Sequence, residues 1–175
     1  MKFTEKQLKS QNIYDGRILK AFVDDVELPD GSTSVREYVR HSGGAAALFI
    51  EDGKVALVKQ FRYVYGKEIY EIPAGKVESD EDPSSAAIRE LEEETGYMAK
   101  DFCHFLDVYP SPGYTDKLNK IYLVKRAARA DQKLDEGEFL SFEFIPLEDV
   151  VKMIEDGEIC DAKTVAAIFK YLSIK

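Results

Sequence analysis

The chain has 175 residues, of which 24 are basic and 33 acidic, giving a formal net charge of −9. Its composition, 45% hydrophobic and 33% charged, is typical of a folded globular protein and excludes a disordered chain. The acidic balance argues against binding along a nucleic-acid backbone, because such binding needs clustered Lys and Arg. The length predicts one compact domain with at most a small addition.

The first nine residues include an acid and no apolar core, so no secretory signal is predicted. The longest aliphatic and aromatic run, residues 45–50, is far shorter than the ~18 residues of a membrane span. Cys103 and Cys160 form no C-x-x-C pair, which predicts two reduced, partly buried thiols rather than a disulfide or zinc site. We therefore expect a cytoplasmic protein without membrane or nucleic-acid partners.

The first forty residues predict a small β-sheet unit. Residues 17–23 and 33–39 have the composition of strands and flank a Pro-Asp-Gly-Ser turn at 29–32, which predicts a hairpin. So small a sheet buries little apolar surface alone. We therefore expect residues 1–41 to pack on the rest of the chain or on a second subunit, with residues 42–175 forming the main domain.

The main domain predicts a mixture of strands and helices. Strands are expected at residues 45–50, 55–61, 68–72, 102–108, 118–124 and 139–145. Three helices are expected, from Asp82-Pro83 to Gly96, from Leu147 to Asp156, and after Asp161, because these residues are typical helix caps and stops. This content predicts an α+β fold in which helices sandwich a mixed sheet.

Acidic residues are concentrated in and before the first helix. Residues 75–97 hold eight acids and two bases, a net charge of −6. Glu90, Glu93 and Glu94 have i, i+3 and i+4 spacing and share one helix face, where like charges cost roughly 0.2–0.5 kcal/mol per pair. One interpretation is a solvated acidic face on which Arg89 pairs with Glu93. The other is a site for a hard divalent cation such as Mg²⁺ or Mn²⁺.

The same segment resembles the Nudix box, which reads Gly, five residues, Glu, seven residues, Arg-Glu-aliphatic-x-Glu-Glu-x-Gly and a final aliphatic residue. Eight positions match, namely Gly75, Glu81, Arg89, Glu90, Leu91, Glu93, Glu94 and Gly96. Tyr97 takes the last position, where we expect a packing role. The resemblance implies a Nudix-type α/β/α sandwich with a mixed sheet, preceded here by a small N-terminal β-sheet unit. It also implies a metal-dependent hydrolase of a nucleoside diphosphate linked to another group.

The resemblance assigns roles around the box. Glu90 and Glu94 would be metal ligands, joined by Glu93 directly or through water and by the backbone carbonyl of Ala74. Arg89 would orient these carboxylates. Gly75 would permit a close backbone approach and Gly96 would end the helix. The implied cofactor is Mg²⁺, with Mn²⁺ as a substitute.

Outside the box, the chain resembles the ADP-ribose pyrophosphatases. Pro112, the fifteenth residue after the box, is similar to a marker of that subfamily, and Gly113 beside it would also contact substrate. An ordinary turn between strands is the alternative. Residues 36–41, 59–63 and 71–75 resemble the segments that precede the box in the same subfamily.

This resemblance implies further substrate contacts. Arg62 would hold phosphate, since a guanidinium matches an oxyanion with two donors. Arg36 and Glu37 would reach the base or ribose from a partner subunit, and Tyr14 offers an aromatic face to adenine. For each of these residues a strand-surface or packing role is the alternative.

An acidic loop at residues 134–139 completes the predicted site. By the same resemblance Glu138 would handle the proton of the attacking water, with Glu136 as the second candidate and an ordinary solvated loop as the alternative. We therefore expect a homodimeric enzyme that cleaves ADP-ribose to AMP and ribose 5-phosphate with Mg²⁺. The alternatives are another nucleoside diphosphate sugar, such as GDP-mannose, and a non-catalytic ADP-ribose-binding module, which the intact box disfavours.

Overall fold

A computed structural model describes residues 3–175. The chain divides into two compact units. The first comprises the N-terminal segment up to Gly43 together with Ser111–Lys117, and the second comprises Gly44–Pro110 and Leu118–Lys175.

The first unit is built on a three-stranded antiparallel sheet. Its strands are β1 (Lys6–Asp15), β2 (Leu19–Glu27) and β3 (Thr33–His41), in the order β1-β2-β3. The predicted hairpin is therefore confirmed as β2 and β3. β1 is not among the predicted strands. All ten of its residues are exposed, and a strand without a buried face has no alternating hydrophobic pattern. Register shifts in β1 leave Leu8 and Ile13 without partners on β2.

The second unit is a seven-stranded mixed sheet with three helices. Its strands are β4 (Gly44–Glu51), β5 (Lys54–Arg62), β6 (Lys67–Glu71), β7 (Ala74–Lys76), β8 (Tyr97–Val108), β9 (Asn119–Arg129) and β10 (Leu140–Pro146). The helices are α1 (Pro83–Thr95), α2 (Leu147–Glu155) and α3 (Ala162–Ile174), with a 3₁₀ turn at Tyr63–Tyr65. Within residues 3–175, no helix is long and apolar enough to cross a membrane.

The strand order is β10-β5-β4-β9-β8, with β6 paired to β5 and β7 paired to β4. β4 and β9 run parallel, whereas the other pairs are antiparallel, so the sheet is mixed. The predicted strands and helices of this unit are confirmed, and β7 is an additional short strand. β8 begins five residues before its predicted start and β9 continues five residues past its predicted end, because these two segments pair with each other.

Alternate side chains of β4 supply two cores on opposite faces of the sheet. Ala46 and Leu48 belong to the core that includes α2 and α3, whereas Ala47 and Phe49 belong to the core that includes Leu91 of α1. A third, smaller cluster joins Ala45 to two alanines of α1, Ala86 and Ala87. Helices therefore cover both faces, and the predicted α+β sandwich is confirmed.

Helix α1 begins and ends where its sequence predicts. The Asp82 side chain accepts a hydrogen bond of 2.8 Å from the Ser84 N–H, and Pro83 is the first helical residue. Gly96 has a φ of 70°, and its N–H donates to the Glu92 carbonyl, which ends the helix. These caps fix which residues of α1 face the sheet.

The prediction for the cysteines needs one correction. Cys103 and Cys160 are free thiols, but both are exposed rather than partly buried. Cys103 lies in an exposed stretch of β8, an outer strand of the sheet, and Cys160 lies between α2 and α3. Their exposure depends on how other elements pack around them, which the sequence pattern does not reveal.

Candidate active site

The candidate site lies where α1 faces the short strand β7. A methyl group added at Gly75 would lie 1.9 Å from Oε1 of Glu90, so that carboxylate rests directly against the glycine. One turn further along α1, Oε2 of Glu94 accepts a hydrogen bond of 3.0 Å from the Ala74 N–H. The predicted close approach at Gly75 is confirmed, and it brings two carboxylates to the backbone of β7.

Arg89 holds three acids together. Its Nε donates to Oε1 of Glu81 at 3.0 Å, and its Nη1 lies 2.8 Å from both Glu90 Oε1 and Glu93 Oε2. The hydrogen bonds to Glu81 and then the charge of Glu90 raise the pKa of Arg89 above its ordinary value. The pair between Arg89 and Glu93 therefore exists, but Arg89 also joins the loop before α1 to the Glu90 carboxylate.

The two inward-facing acids are poorly compensated. Burial, and then repulsion from Glu90, raise the pKa of Glu94 to about 8, although the Ala74 N–H opposes this shift. Glu94 is only 2% exposed. Burial also raises the pKa of Glu90, against the opposing charge of Arg89. Buried carboxylates in excess of nearby cations are costly unless protonated or paired with a positive charge.

Glu138 reaches the same cluster from the loop between β9 and β10. The charge of its carboxylate contributes to the raised pKa values of both Glu90 and Glu94. Its Oε1 accepts a hydrogen bond of 3.3 Å from Nε2 of Gln60 on β5. Glu136, the second candidate, is exposed on the same loop. Glu138 is therefore within electrostatic range of the Glu90 and Glu94 carboxylates, while its hydrogen-bond partner is Gln60.

A family model agrees with this geometry. Residues 40–168 match the model of the NUDIX domain. The chain belongs to the Nudix family. Residues 5–39 match a second model, described as the nucleoside diphosphate sugar hydrolase N-terminal domain.

Individual proteins are similar over nearly the whole Nudix chain. A Bacillus subtilis (strain 168) protein named ADP-ribose pyrophosphatase is 44% identical over 98% of this chain and 94% of its own length. A Bacillus methanolicus protein named methanol dehydrogenase activator is 42% identical over 99% of this chain and 95% of its own. The crystal structure of an ADP compounds hydrolase has a TM-score of 0.85 and 21% identity, covering 97% of this chain and 92% of that one. This structural likeness shows the same fold.

Tyr97, the departure from the Nudix box pattern, is a packing residue as predicted. Its ring lies 5.5 Å from that of Phe49 and 5.3 Å from that of Phe144, between centroids. The larger ring therefore fills space in the core beneath α1 that an aliphatic side chain would leave partly empty.

Arg62, at the end of β5, is partly exposed and forms an ionic network with two buried charged residues, Glu71 and Lys163. Its Nε and Nη2 donate to the two oxygens of Glu71 at 2.6 and 2.9 Å, and Nζ of Lys163 also contacts Glu71. Sequence reasoning named Arg62 but missed Glu71 and Lys163. The available signal for Glu71 was an acid near the end of the strand predicted at residues 68–72, which Pro73 stops.

The other residues predicted to contact substrate lie in the first unit. Nη2 of Arg36 lies 2.5 Å from Oε1 of Glu5, while Glu37 is exposed on β3. Tyr14 is 59% exposed, and its ring lies over Gly16, where an added methyl group would be 2.4 Å from Cε1. Pro112 and Gly113 are also exposed, in the segment that a hydrogen bond from the Val39 N–H to the Tyr114 carbonyl joins to β3.

The donor chemistry at Glu90 and Glu94 fits a divalent cation. Both side chains offer carboxylate oxygens, the ligands that Mg²⁺ and Mn²⁺ prefer, and burial raises the pKa of both, although Glu90 is only partly buried and pairs with Arg89. Across residues 3–175, no three His, Cys, Asp or Glu side chains already converge on one metal position. Their present partners are Arg89 and the Ala74 N–H, from which a cation would have to draw them.

Proposed function

We propose that this Nudix protein hydrolyses the diphosphate of ADP-ribose, giving AMP and ribose 5-phosphate, with Mg²⁺ as its cofactor and Mn²⁺ as a substitute. The observation that carries the proposal is the pair of Glu90, partly buried, and Glu94, fully buried, against the backbone of β7. Two neighbouring carboxylates with the Arg89 guanidinium as their nearby positive charge favour binding of a cation, and a cation also assists hydrolysis of a diphosphate.

The proposed metal ligands are Glu90 and Glu94, with Glu93 contributing directly or through water and Ala74 contributing its carbonyl. When bound, the cation screens the diphosphate charge and lowers the pKa of water, the nucleophile of the hydrolysis. Arg89 holds Glu90 and Glu93 in place, since its guanidinium contacts both.

The remaining roles belong to residues around this cluster. Arg62 would bind a phosphate through its guanidinium. That group has five N–H donors, and the two hydrogen bonds to Glu71 do not use all of them. Glu138 would accept the proton of the attacking water, because its carboxylate already acts on Glu90 and Glu94. The base and ribose contacts are assigned to Arg36, Glu37, Tyr14, Pro112 and Gly113.

ADP-ribose is favoured by the name of the Bacillus subtilis relative and by the 44% identity over nearly all of both chains. The N-terminal model, described for nucleoside diphosphate sugar hydrolases in general, supports a second candidate, another sugar nucleotide such as GDP-mannose. A non-catalytic binding module is disfavoured because the charged residues of the box are all present. Arg89 contacts Glu90 and Glu93, and the charge of Glu90 acts on Glu94.

We further propose that the protein is a cytoplasmic homodimer. The first unit supports the dimer because Val26, at 6% exposure, is its one well-buried hydrophobic side chain among the described residues. Large apolar side chains of that unit are exposed, namely Phe3, Leu8, Ile13, Tyr14, Ile18 and Val35. A sheet with so little core gains stability from a partner surface.

The test is turnover of a panel of sugar nucleotides with and without Mg²⁺, read by product identity. We expect AMP and ribose 5-phosphate from ADP-ribose, faster than products from GDP-mannose. Glu90→Gln and Glu94→Gln should each lower Mg²⁺-dependent turnover by about 100-fold or more, as loss of several kcal/mol of charge stabilisation implies. Glu92→Gln, on the same helix but outside these contacts, is the control. Near-normal rates in both cluster variants would refute the ligand assignment.

A further inference from the structure

Glu71 is a buried acid with two cationic partners, one nine residues and one 92 residues away in the chain. It ends β6 and is 4% exposed. Arg62 approaches it from the end of the neighbouring strand β5, and Lys163 approaches from the first turn of α3. Burial alone would raise the pKa of Glu71, but Arg62 and Lys163 hold it at about 2, so the carboxylate is ionised.

The start of α3 is fixed to the end of β6 at a second point. The Ile72 N–H donates to Oγ1 of Thr164 at 2.9 Å, and that hydroxyl donates to Oδ2 of Asp161 at 2.6 Å. Nζ of Lys163 lies 3.0 Å from the same Asp161 oxygen. Because Lys163 is only 8% exposed and bonded to two acids, its ammonium has little freedom to move.

The charges of Arg62 and Lys163 interact electrostatically with Glu94, one of the proposed metal ligands. The charge of Glu94 acts on Arg62, and the charge of Lys163 acts on Glu94. Arg62 is the last residue of β5, paired with Lys67 of β6, and the 3₁₀ turn at Tyr63–Tyr65 follows it. This pairing fixes its backbone, but the guanidinium lies at the end of a long side chain with several rotatable bonds. Its orientation is set by the two hydrogen bonds to Glu71.

We propose that Glu71 and Lys163 are positioning residues that aim the Arg62 guanidinium at the substrate diphosphate, an inference that rests on the proposed function. Glu71 fixes the plane of the guanidinium through its two oxygens. Lys163 holds Glu71 and shares its negative charge, which leaves Arg62 with more positive potential for a phosphate oxygen than a simple ion pair would. Helix α3 thereby contributes to substrate binding without touching the substrate.

The test is a double-mutant cycle on Lys163 and Arg62. Lys163→Met should raise KM for ADP-ribose about tenfold with kcat within about twofold, because binding rather than chemistry is affected. In an Arg62→Met background the same substitution should change KM by less than about twofold, since Lys163 acts through Arg62. Glu68→Gln, which removes an exposed partner of Lys59 on the same strand as Glu71, is the matched control and should change neither constant.

Equal KM effects of Lys163→Met in both backgrounds would overturn the proposal, as would a loss confined to kcat. If Lys163→Met does not fold, Lys163→Gln replaces it, because its amide still donates to Glu71 without the charge.

A structural readout separates this inference from the proposed function. The Nε–Hε NMR signal of Arg62, identified by its loss in Arg62→Met, should be sharp in the native protein and should shift and broaden in Glu71→Gln and Lys163→Met. An unchanged signal in both variants would overturn the positioning role whatever the activity. Absence of ADP-ribose hydrolysis by the native enzyme would overturn the proposed function alone, and the NMR comparison would still decide the positioning role.

Discussion

The missing side chain at Gly75 determines where the Glu90 carboxylate lies. An added methyl group would be 1.9 Å from Oε1 and 2.0 Å from Cδ of Glu90, and its nearest neighbours all belong to that flexible side chain. A substitution there would therefore displace the carboxylate rather than the backbone. Gly75 is therefore needed for the position of the Glu90 carboxylate more than for the stability of the fold.

We predict that Gly75→Ala lowers Mg²⁺-dependent kcat/KM for ADP-ribose by about 100-fold, since a misplacement of about 1 Å has effects of that size. The midpoint of thermal unfolding should stay within a few degrees of the native value, because only the end of one side chain must move. Steady-state kinetics and calorimetry on the same preparation check both parts. A variant with full activity would show that Glu90 does not act from this position.

The lowered pKa of Glu71 predicts how stability depends on pH. The folded-state pKa of about 2 lies below the ordinary 4.5, so ionised Glu71 stabilises the fold fully above that range and the stabilisation is lost as pH falls towards 2. The difference in unfolding free energy between native protein and Glu71→Gln should therefore shrink by about 1 kcal/mol from about pH 6 to about pH 4. Urea titrations at both pH values measure it, with Glu68→Gln as the exposed control. A constant difference would contradict the prediction.

Residues of the acidic helix could be predicted because their chemistry depends on local spacing. Glu90, Glu93 and Glu94 share a face by helical periodicity alone, and Arg89 reaches two of them from the same helix. Lys163 could not be predicted in this way, because its partner Glu71 is 92 residues away and meets it only through the packing of α3 on the sheet. Long-range ion pairs leave no periodic pattern in one sequence.

At the scale of elements, the loop between β9 and β10 contains a hydrogen-bonded turn that also positions the Glu138 carboxylate. The Glu138 N–H donates to the Asp135 carbonyl at 3.0 Å, which closes the turn, while its side chain meets Gln60. Glu136 in the same turn is exposed. The two acids therefore differ in direction although they are two residues apart.

This loop provides a matched pair of variants. Glu138→Gln should lower kcat by at least about 100-fold with little change in KM, as expected for loss of a general base. Glu136→Gln, which removes the same charge from the same loop, should change kcat by less than about twofold. Single-turnover and steady-state rates on ADP-ribose distinguish them. If the two variants lose activity equally, the loop acts through its charge and not through one proton acceptor.

Elements with strong local signals were predictable, and elements without them were not. Asp82-Pro83 and Gly96 identify both ends of α1 because caps depend on the side chain and backbone of one or two residues. β1 lacks any such signal, since none of its residues is buried and two register shifts interrupt its alternation. β7 has only three residues, too few for a hydrophobic pattern, although its backbone contacts the side chains of Glu90 and Glu94.

For the whole molecule, the exposed apolar side chains of β1 predict a dimer. The full chain should have twice the monomer mass of 19.8 kDa in light scattering after gel filtration. Ile13→Glu, at a register shift where the side chain is 57% exposed, should yield a monomer, because a buried unpaired acid disfavours an apolar interface. Lys9→Glu on the same strand is the control and should remain dimeric. A monomeric native chain would refute the partner-subunit roles of Arg36 and Glu37.

The alanines that join β4 to α1 have a consequence for how this chain can change over evolutionary time. Ala45, Ala86 and Ala87 are at most 1% exposed and fill their contact with methyl groups. A larger residue at any of them would overpack the contact and move α1, which carries Glu90 and Glu94, relative to β7. Exchanges among Leu, Ile and Val in the two larger cores can conserve volume, whereas any enlargement at these three alanines is expected to disturb the positions of Glu90 and Glu94.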